Sequence, residues 1–318
     1  MNKFIKKLLL FVILISSVIS GALFYFYNIG GNDLPAPNFS NSISFNEKID
    51  FLKNKDLTRI EYAVIGSSMS LNNINSETMV KYLGENYINL ASWGFKISES
   101  ENYLKNMIGF FPNLKTVIIS TSFMDFSSSS RNIDAGYNMI KNSIKYNLNY
   151  LAYLWSFDLK YMYNNSKENK AKKQIRNSYQ NLVYDKYGGA ILDIDKKNVN
   201  PERWNNNILN YDVSENELTN LEQLIIFLNG KGIGCVIAVP PQREGLLNDE
   251  NMQKINTEIE KIKNIVVRNK GIFVDSFELG SWNDSLFVDY THLNRSGAEK
   301  YTQLILEKLT SRRIEPAK

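Results

Sequence analysis

Tyr62-Ala63-Val64-Ile65-Gly66-Ser67-Ser68 is the stretch on which the fold turns. Its apolar run suits a buried strand, and the glycine that ends it permits a turn other residues resist. Four further short apolar runs follow, at 87–90, 116–119, 235–239 and 272–274. Turn residues bound each run, and helical patterns separate most of them. That alternation predicts a mainly parallel sheet covered by helices on both faces.

An open parallel sheet binds its ligands outside the carboxyl ends of the strands. Ser68 falls at that end of the first run. The only histidine of the chain, His292, stands in Asp289-Tyr290-Thr291-His292, after the last run and before a final helical pattern. A serine hydroxyl is too weakly acidic to attack a carbonyl unaided. It needs a neutral imidazole as base and a carboxylate to fix the tautomer of that imidazole. Ser68, His292 and Asp289 supply those three groups. Taken singly, each has a plainer reading: a turn serine, a helix-capping histidine, an N-cap aspartate. Their joint presence favours acyl-transfer chemistry.

Composition narrows the alternatives. At 318 residues, with 43% hydrophobic and 22% charged residues, the chain has the makeup of a globular protein. The net charge of +4 is modest, and neither zinc-finger spacing nor a basic recognition helix is present, so no nucleic-acid partner is expected. Cys235 is alone, which rules out an intramolecular disulfide and a thiolate cluster, and its apolar neighbours predict a buried strand residue. One histidine and one cysteine leave no metal site in prospect and imply no cofactor.

At the N-terminus Lys3, Lys6 and Lys7 precede an uncharged stretch from 8 to 27, about the length of a bilayer-spanning helix. Phe24, Tyr25, Phe26 and Tyr27 suit the far interface, and the lysines predict a cytoplasmic N-terminus with the remainder outside. A cleaved signal peptide is the rival, and the length of the stretch favours an uncleaved anchor. No lipobox cysteine is present, which excludes a bacterial lipoprotein. The expected division is therefore an anchor at 1–27, a linker and short helix at 28–57, and a catalytic domain at 58–318. In the linker region Phe45, Ile49 and Leu52 lie at helical spacing. Ser214-Glu215-Asn216-Glu217 reads as a capping box opening a helix that ends near Gly230, and a last helix is expected over about 296–309.

Residues 126–213, rich in Asn, Tyr and Lys, are too long for a plain loop and read as a helical insertion over the catalytic edge. Within them the aromatic stretch from Tyr146 to Tyr163 offers two readings, a face towards membrane or partner, and packing on the sheet. The second is the expectation. Lys167, Lys170, Lys172, Lys173 and Arg176 read first as a solvated helix face, with attraction to anionic lipid or polymer as the alternative.

The motifs resemble, in order, those of the SGNH (GDSL-like) hydrolase superfamily. Val64-Ile65-Gly66-Ser67-Ser68 is similar to the nucleophile block, with Ser67 where many members carry Asp. Asn89-Leu90-Ala91-Ser92-Trp93-Gly94 is similar to the second block, and Asp289-Tyr290-Thr291-His292-Leu293-Asn294 to the last. The resemblance implies a flavodoxin-like three-layer αβα sandwich over most of 58–310. It implies an oxyanion held by the backbone N–H groups of Ser68 and Gly94. Trp93 then becomes a candidate sugar contact, although core packing is its plainer role. The third block departs: Ser122-Phe123-Met124-Asp125 stands where the family usually has Gly-x-Asn-Asp. The amide donor is missing, a loss of about 10²–10³ in turnover, with Ser122, Ser92 or a backbone N–H as candidate substitutes. Anchor, Gly-Ser-Ser turn and insertion together are similar to the membrane-anchored branch linked to teichoic-acid D-alanylation and cell-surface polysaccharide O-acetylation. That branch implies an envelope glycan or acyl ester as substrate and a multi-spanning membrane acyltransferase as partner. An esterase, and a catalytically weak scaffold for such a partner, are the alternatives.

Overall fold

The computed structural model describes residues 2–128, 133–146, 149–174, 176–207, 209 and 212–314. The chain forms two compact units, one of residues 1–54 with 134–175, the other of residues 55–133 with 176–318.

The second unit is built on five parallel strands: β1 (Tyr62–Ile65), β2 (Tyr87–Asn89), β3 (Thr116–Ser120), β4 (Gly234–Val239) and β5 (Ile272–Asp275), in the order β2-β1-β3-β4-β5. This is the doubly wound, flavodoxin-like order, whose switch point lies between β1 and β3. Every strand residue of β1, β2 and β3 is buried, as expected where helices cover both faces. Cys235 is buried in β4.

In chain order the helices are α1 (Asn2–Ile29), α2 (Ile43–Leu52), α3 (Ser68–Asn73), α4 (Ser76–Leu83), α5 (Ile97–Met107), α6 (Tyr137–Tyr146), α7 (Asn149–Trp155), α8 (Leu159–Gln174), α9 (Pro201–Trp204), α10 (Glu215–Gly230), α11 (Asp249–Arg268), α12 (Ser276–Leu279) and α13 (Arg295–Ile314). Helices α5, α10 and α11 pack together as one layer, and α3, α4 and α13 as another. Alternate strand residues Val64, Ile118, Val236 and Val274 meet Tyr301, Ile305 and Leu309 of α13 in one apolar core. The period-2 alternation of strand side chains sends their neighbours to the opposite face.

Ser214 is the N-cap of α10 as expected, but its side chain makes no capping bond. Glu217, its presumed capping-box partner, accepts instead from the N–H and hydroxyl of Ser98, both at 2.8 Å. A tertiary contact has taken the carboxylate that the local motif would have used.

The first unit contains α1, α2, α6, α7 and α8. Phe45, Ile49 and Leu52 of α2 are fully buried. Helix α1 carries a 27-residue span, Lys3–Ile29, long and apolar enough to cross a membrane. Near its C-terminal end Leu23 and Phe26 are buried against Met162 of α8. The stretch expected as one insertion is thus shared: 134–175 clusters with α1 and α2, while 176–213 belongs to the sheet unit. Of the aromatic stretch, expected to pack on the sheet, Tyr153, Phe157 and Tyr161 pack on Leu23, Phe26 and Met162 of the first unit. Tyr146, Tyr150, Trp155 and Tyr163 are exposed within the first unit.

Candidate active site

Strand β1 delivers the chain to Gly66, which adopts φ +128°. A Cβ there would lie 2.8 Å from Ser70 Oγ and 3.3 Å from the Ser120 carbonyl oxygen, so glycine is required on both counts. Ser67 then caps α3, accepting from the Met69 N–H at 3.2 Å. Ser68 opens the helix, half-buried, with its N–H in the first turn where no intrahelical acceptor exists.

At the far end of the chain the residues from Phe287 to Leu293 form a loop closed by an antiparallel bridge between those two residues. Oδ1 of Asp289 accepts from the N–H of Thr291 at 3.0 Å and of His292 at 2.7 Å, folding the loop upon itself. Oδ2 lies 2.8 Å from His292 Nδ1, and His292 Nε2 lies 2.9 Å from Ser68 Oγ. The tautomer that serves both contacts carries its proton on Nδ1 and accepts the Ser68 hydroxyl at Nε2. Asp289 is wholly buried. Burial works to raise its carboxyl, but the imidazole and then the two backbone N–H groups outweigh it, and the carboxyl titrates below its ordinary value.

Four further residues complete the setting; of these only Asp125 is named from the sequence, within the departing third block. Asn73, at the end of α3, donates to the Thr291 carbonyl at 3.1 Å and accepts from the Leu293 N–H at 2.9 Å. It thus brackets His292 and ties the serine helix to the histidine loop. Arg203 of α9 places Nη1 3.8 Å from Asp289 Oδ2 and stacks over the Tyr179 ring. The Tyr179 hydroxyl donates to the Val288 carbonyl at 2.5 Å. Asp125, in the turn Phe123–Phe126 after β3, accepts from Ser67 Oγ (2.8 Å), Thr121 Oγ1 (3.1 Å) and the Ser122 N–H (2.9 Å). Burial pushes its carboxyl up to about 7 against the pull of these donors and of His292.

Of the other residues named from the sequence, Gly94 is exposed at φ +72° in the turn after β2. Trp93 packs, half-buried, against a cluster that includes Leu71 and Leu182. The Ser122 hydroxyl is sealed from solvent, and Ser92 is fully buried. Met124, at the position of the missing amide, is half-buried. A side-chain amide occurs in the loop after β4: Gln242 is buried, and neither its nitrogen nor its oxygen finds a partner among the described residues. Its neighbours hold the histidine loop, through Thr291 Oγ1 to the Pro241 carbonyl and Arg243 N–H to the Tyr290 carbonyl.

No family model matches the chain, and no curated protein matches its sequence. Among solved structures it is similar to LAE5, an α/β-hydrolase enzyme from the metagenome of Lake Arreo. That likeness covers 79% of this chain and 95% of the other, at 12% identity and a TM-score of 0.42. A provisionally assigned acylhydrolase from Bacteroides fragilis is similar over 89% of this chain and 95% of its own, at 13% identity and a TM-score of 0.39. A catalytic mutant of Axe2, an acetylxylan esterase from Geobacillus stearothermophilus, is similar over 79% and 94%, at 12% identity and a TM-score of 0.39. The likeness is one of folding pattern.

Chemically, the site offers a half-buried hydroxyl, a base and a buried orienting carboxylate that follow one another by hydrogen bonds. No group of three or more His, Cys, Asp or Glu side chains is placed to hold a metal among the described residues.

Proposed function

We propose that this chain is a membrane-anchored serine acyl-ester enzyme whose domain outside the anchor transfers or hydrolyses acyl groups of a cell-envelope carbohydrate. One observation carries the chemical part: the run Asp289–His292–Ser68, with links of 2.8 and 2.9 Å, at the carboxyl edge of a parallel sheet. In this reading Ser68 Oγ attacks the acyl carbonyl while its proton passes to His292 Nε2. Asp289 steadies the imidazolium that forms. The N–H groups of Ser68 and Gly94 hold the oxyanion. Collapse expels the leaving oxygen, which takes the proton from His292 and leaves the acyl group on Ser68. A sugar hydroxyl or water, deprotonated by the same imidazole, then resolves the acyl-enzyme. The helix Lys3–Ile29 supports the anchor, with the N-terminal lysines on the cytoplasmic side. The envelope glycan and the transfer outcome rest on the resemblance described above, as does a multi-spanning acyltransferase partner.

The test is intact mass of the full chain in nanodiscs after a fluorophosphonate probe. A single adduct at Ser68, lost in Ser68→Ala and His292→Ala, is the expected result. A second reading, a scaffold with weak or no catalysis, is favoured by Met124 in place of an amide donor. Absence of any adduct on the folded protein would transfer the assignment to that scaffold.

A further inference from the structure

We propose that the α7–α8 segment of the first unit is a lipid-facing element, lying in the outer-leaflet boundary of the bilayer that α1 crosses. The proposal rests on the anchor reading above and adds a second membrane contact to it.

The argument begins with α1 as a depth gauge. If Lys3, Lys6 and Lys7 mark the inner interface, the aromatic residues Phe24 to Tyr27 mark the outer one, since 20 residues of helix span about 30 Å. Two contacts place α7 below that level. The hydroxyls of Tyr150 and Ser20 hydrogen-bond at 2.6 Å, and Tyr150 also donates to the Ser16 carbonyl at 3.4 Å. Ser20 lies four to seven residues inward of the aromatic band, or about 6–10 Å along the helix, the depth at which interfacial helices bury their apolar faces.

Helix α8 then climbs beside α1 in the same direction. Met162 packs on Leu23 and Phe26, the Ser166 carbonyl approaches Gly30, and Asn169 donates to Asp33 at 3.1 Å. One of its exposed stripes changes chemistry at the same heights, beside a polar stripe of Lys160, Asn164 and Glu168. Leu159 is 63% exposed beside the apolar part of α1, Tyr163 is 45% exposed near the aromatic band, and Lys167 is exposed near Gly30. An apolar, then aromatic, then cationic sequence along one face is the profile of the hydrocarbon-to-headgroup boundary. Lys167 Nζ reaches back to the Tyr163 hydroxyl at 2.6 Å and lies over its ring, as a headgroup-level lysine would.

A groove of about 340 Å³ runs between α1 and α7, walled by Leu23, Phe24, Tyr27, Leu34, Tyr150 and Tyr153. Trp155, on the same helix as Tyr150 and Tyr153, is 58% exposed. Large exposed aromatics at the level of a spanning helix would be costly in water and are favourable against lipid. The occupant to which we commit is therefore lipid, with an acyl chain in the groove.

The test uses the full chain in nanodiscs of phosphatidylethanolamine and phosphatidylglycerol. Nitroxides are attached singly at Val12→Cys, Trp155→Cys, Leu159→Cys and Lys167→Cys, all exposed positions, with the native Cys235 buried and unreactive. Collisions with oxygen report lipid, and collisions with a soluble nickel chelate report water. The expected result is loss of nickel broadening at 155 and 159, as at 12, and its return at 167. Nickel access at 159 equal to that at 167, with 12 protected, overturns the proposal while leaving the anchor intact, and marks the surface as one awaiting a protein. Nickel access at 12 as well overturns both.

Discussion

At the residue scale, the site is held by bonds of unequal legibility. Ser68, Asp289 and His292 could be picked out because a serine after a strand and a carboxylate three residues before a lone histidine are local patterns. Asn73 bridges contacts 218 and 220 residues away, to Thr291 and Leu293. No window of sequence contains both ends, so nothing marked it. Asn73→Ala leaves two buried backbone groups without partners, a loss of about 1–3 kcal/mol for each. The expected outcome is slower fluorophosphonate labelling of Ser68 together with a lower unfolding midpoint. Asp289→Asn keeps the shape but disturbs the tautomer, and labelling is expected to fall by about 10²–10⁴. Asp125 makes a prediction of the opposite kind. Its carboxyl is raised to about 7 in the folded chain, so the native state holds a proton that the unfolded chain gives up near pH 4. Stability from this group is therefore complete at low pH and declines as pH rises towards and through 7, by an amount of order 4 kcal/mol. Asp125→Asn, which keeps an acceptor for Ser67 but cannot ionise, should gain on the wild type between pH 5 and pH 8 in urea unfolding. A constant difference across that range would remove Asp125 from the account.

At the element scale, the five strands were readable because short apolar runs between turn residues have few other uses in a chain of this length. Their observed ends differ from the expected ones by about a residue, the usual ambiguity of strand limits. The turn after β1 is more demanding than its sequence shows. Only the structure reveals that a methyl group at Gly66 would meet both Ser70 and the β3 backbone. Gly66→Ala is expected to cost several kcal/mol, through strain at positive φ and the collision, and to abolish Ser68 labelling even where the protein folds. Circular dichroism alongside labelling separates the two losses. The exposure of Tyr146, Tyr150, Trp155 and Tyr163 departs from the packing expected for the segment 146–163, for a physical reason. Aromatic residues at helical spacing suit a protein core and a bilayer boundary equally, and pattern alone does not distinguish the two solvents.

At the scale of the whole molecule, the apolar helix α1 is a building block of the first unit. Leu23 and Phe26 belong to the first unit's core, so a chain starting at residue 32 loses part of that core and not merely its tether. Such a chain is expected to keep the protected amides of the sheet unit while those of α7 and α8 exchange quickly, in a hydrogen-exchange comparison with the full chain. Equal protection would show that α1 adds nothing to the packing of α8.

The first unit is also discontinuous, made of residues 1–54 and 134–175 with three strands of the other unit between them. A ribosome adding about 5–20 residues per second needs roughly 6–24 s to travel from residue 54 to residue 175. Throughout that interval α1 has been made, yet the helices that cover its C-terminal end do not exist. The newborn chain must therefore wait with Leu23 and Phe26 uncovered, and on the anchor reading proposed above the bilayer shelters them during the delay. Insertion would then act as the chaperone for this unit, and a nascent chain that missed its membrane would present the same two side chains to the proteases that clear unfinished proteins.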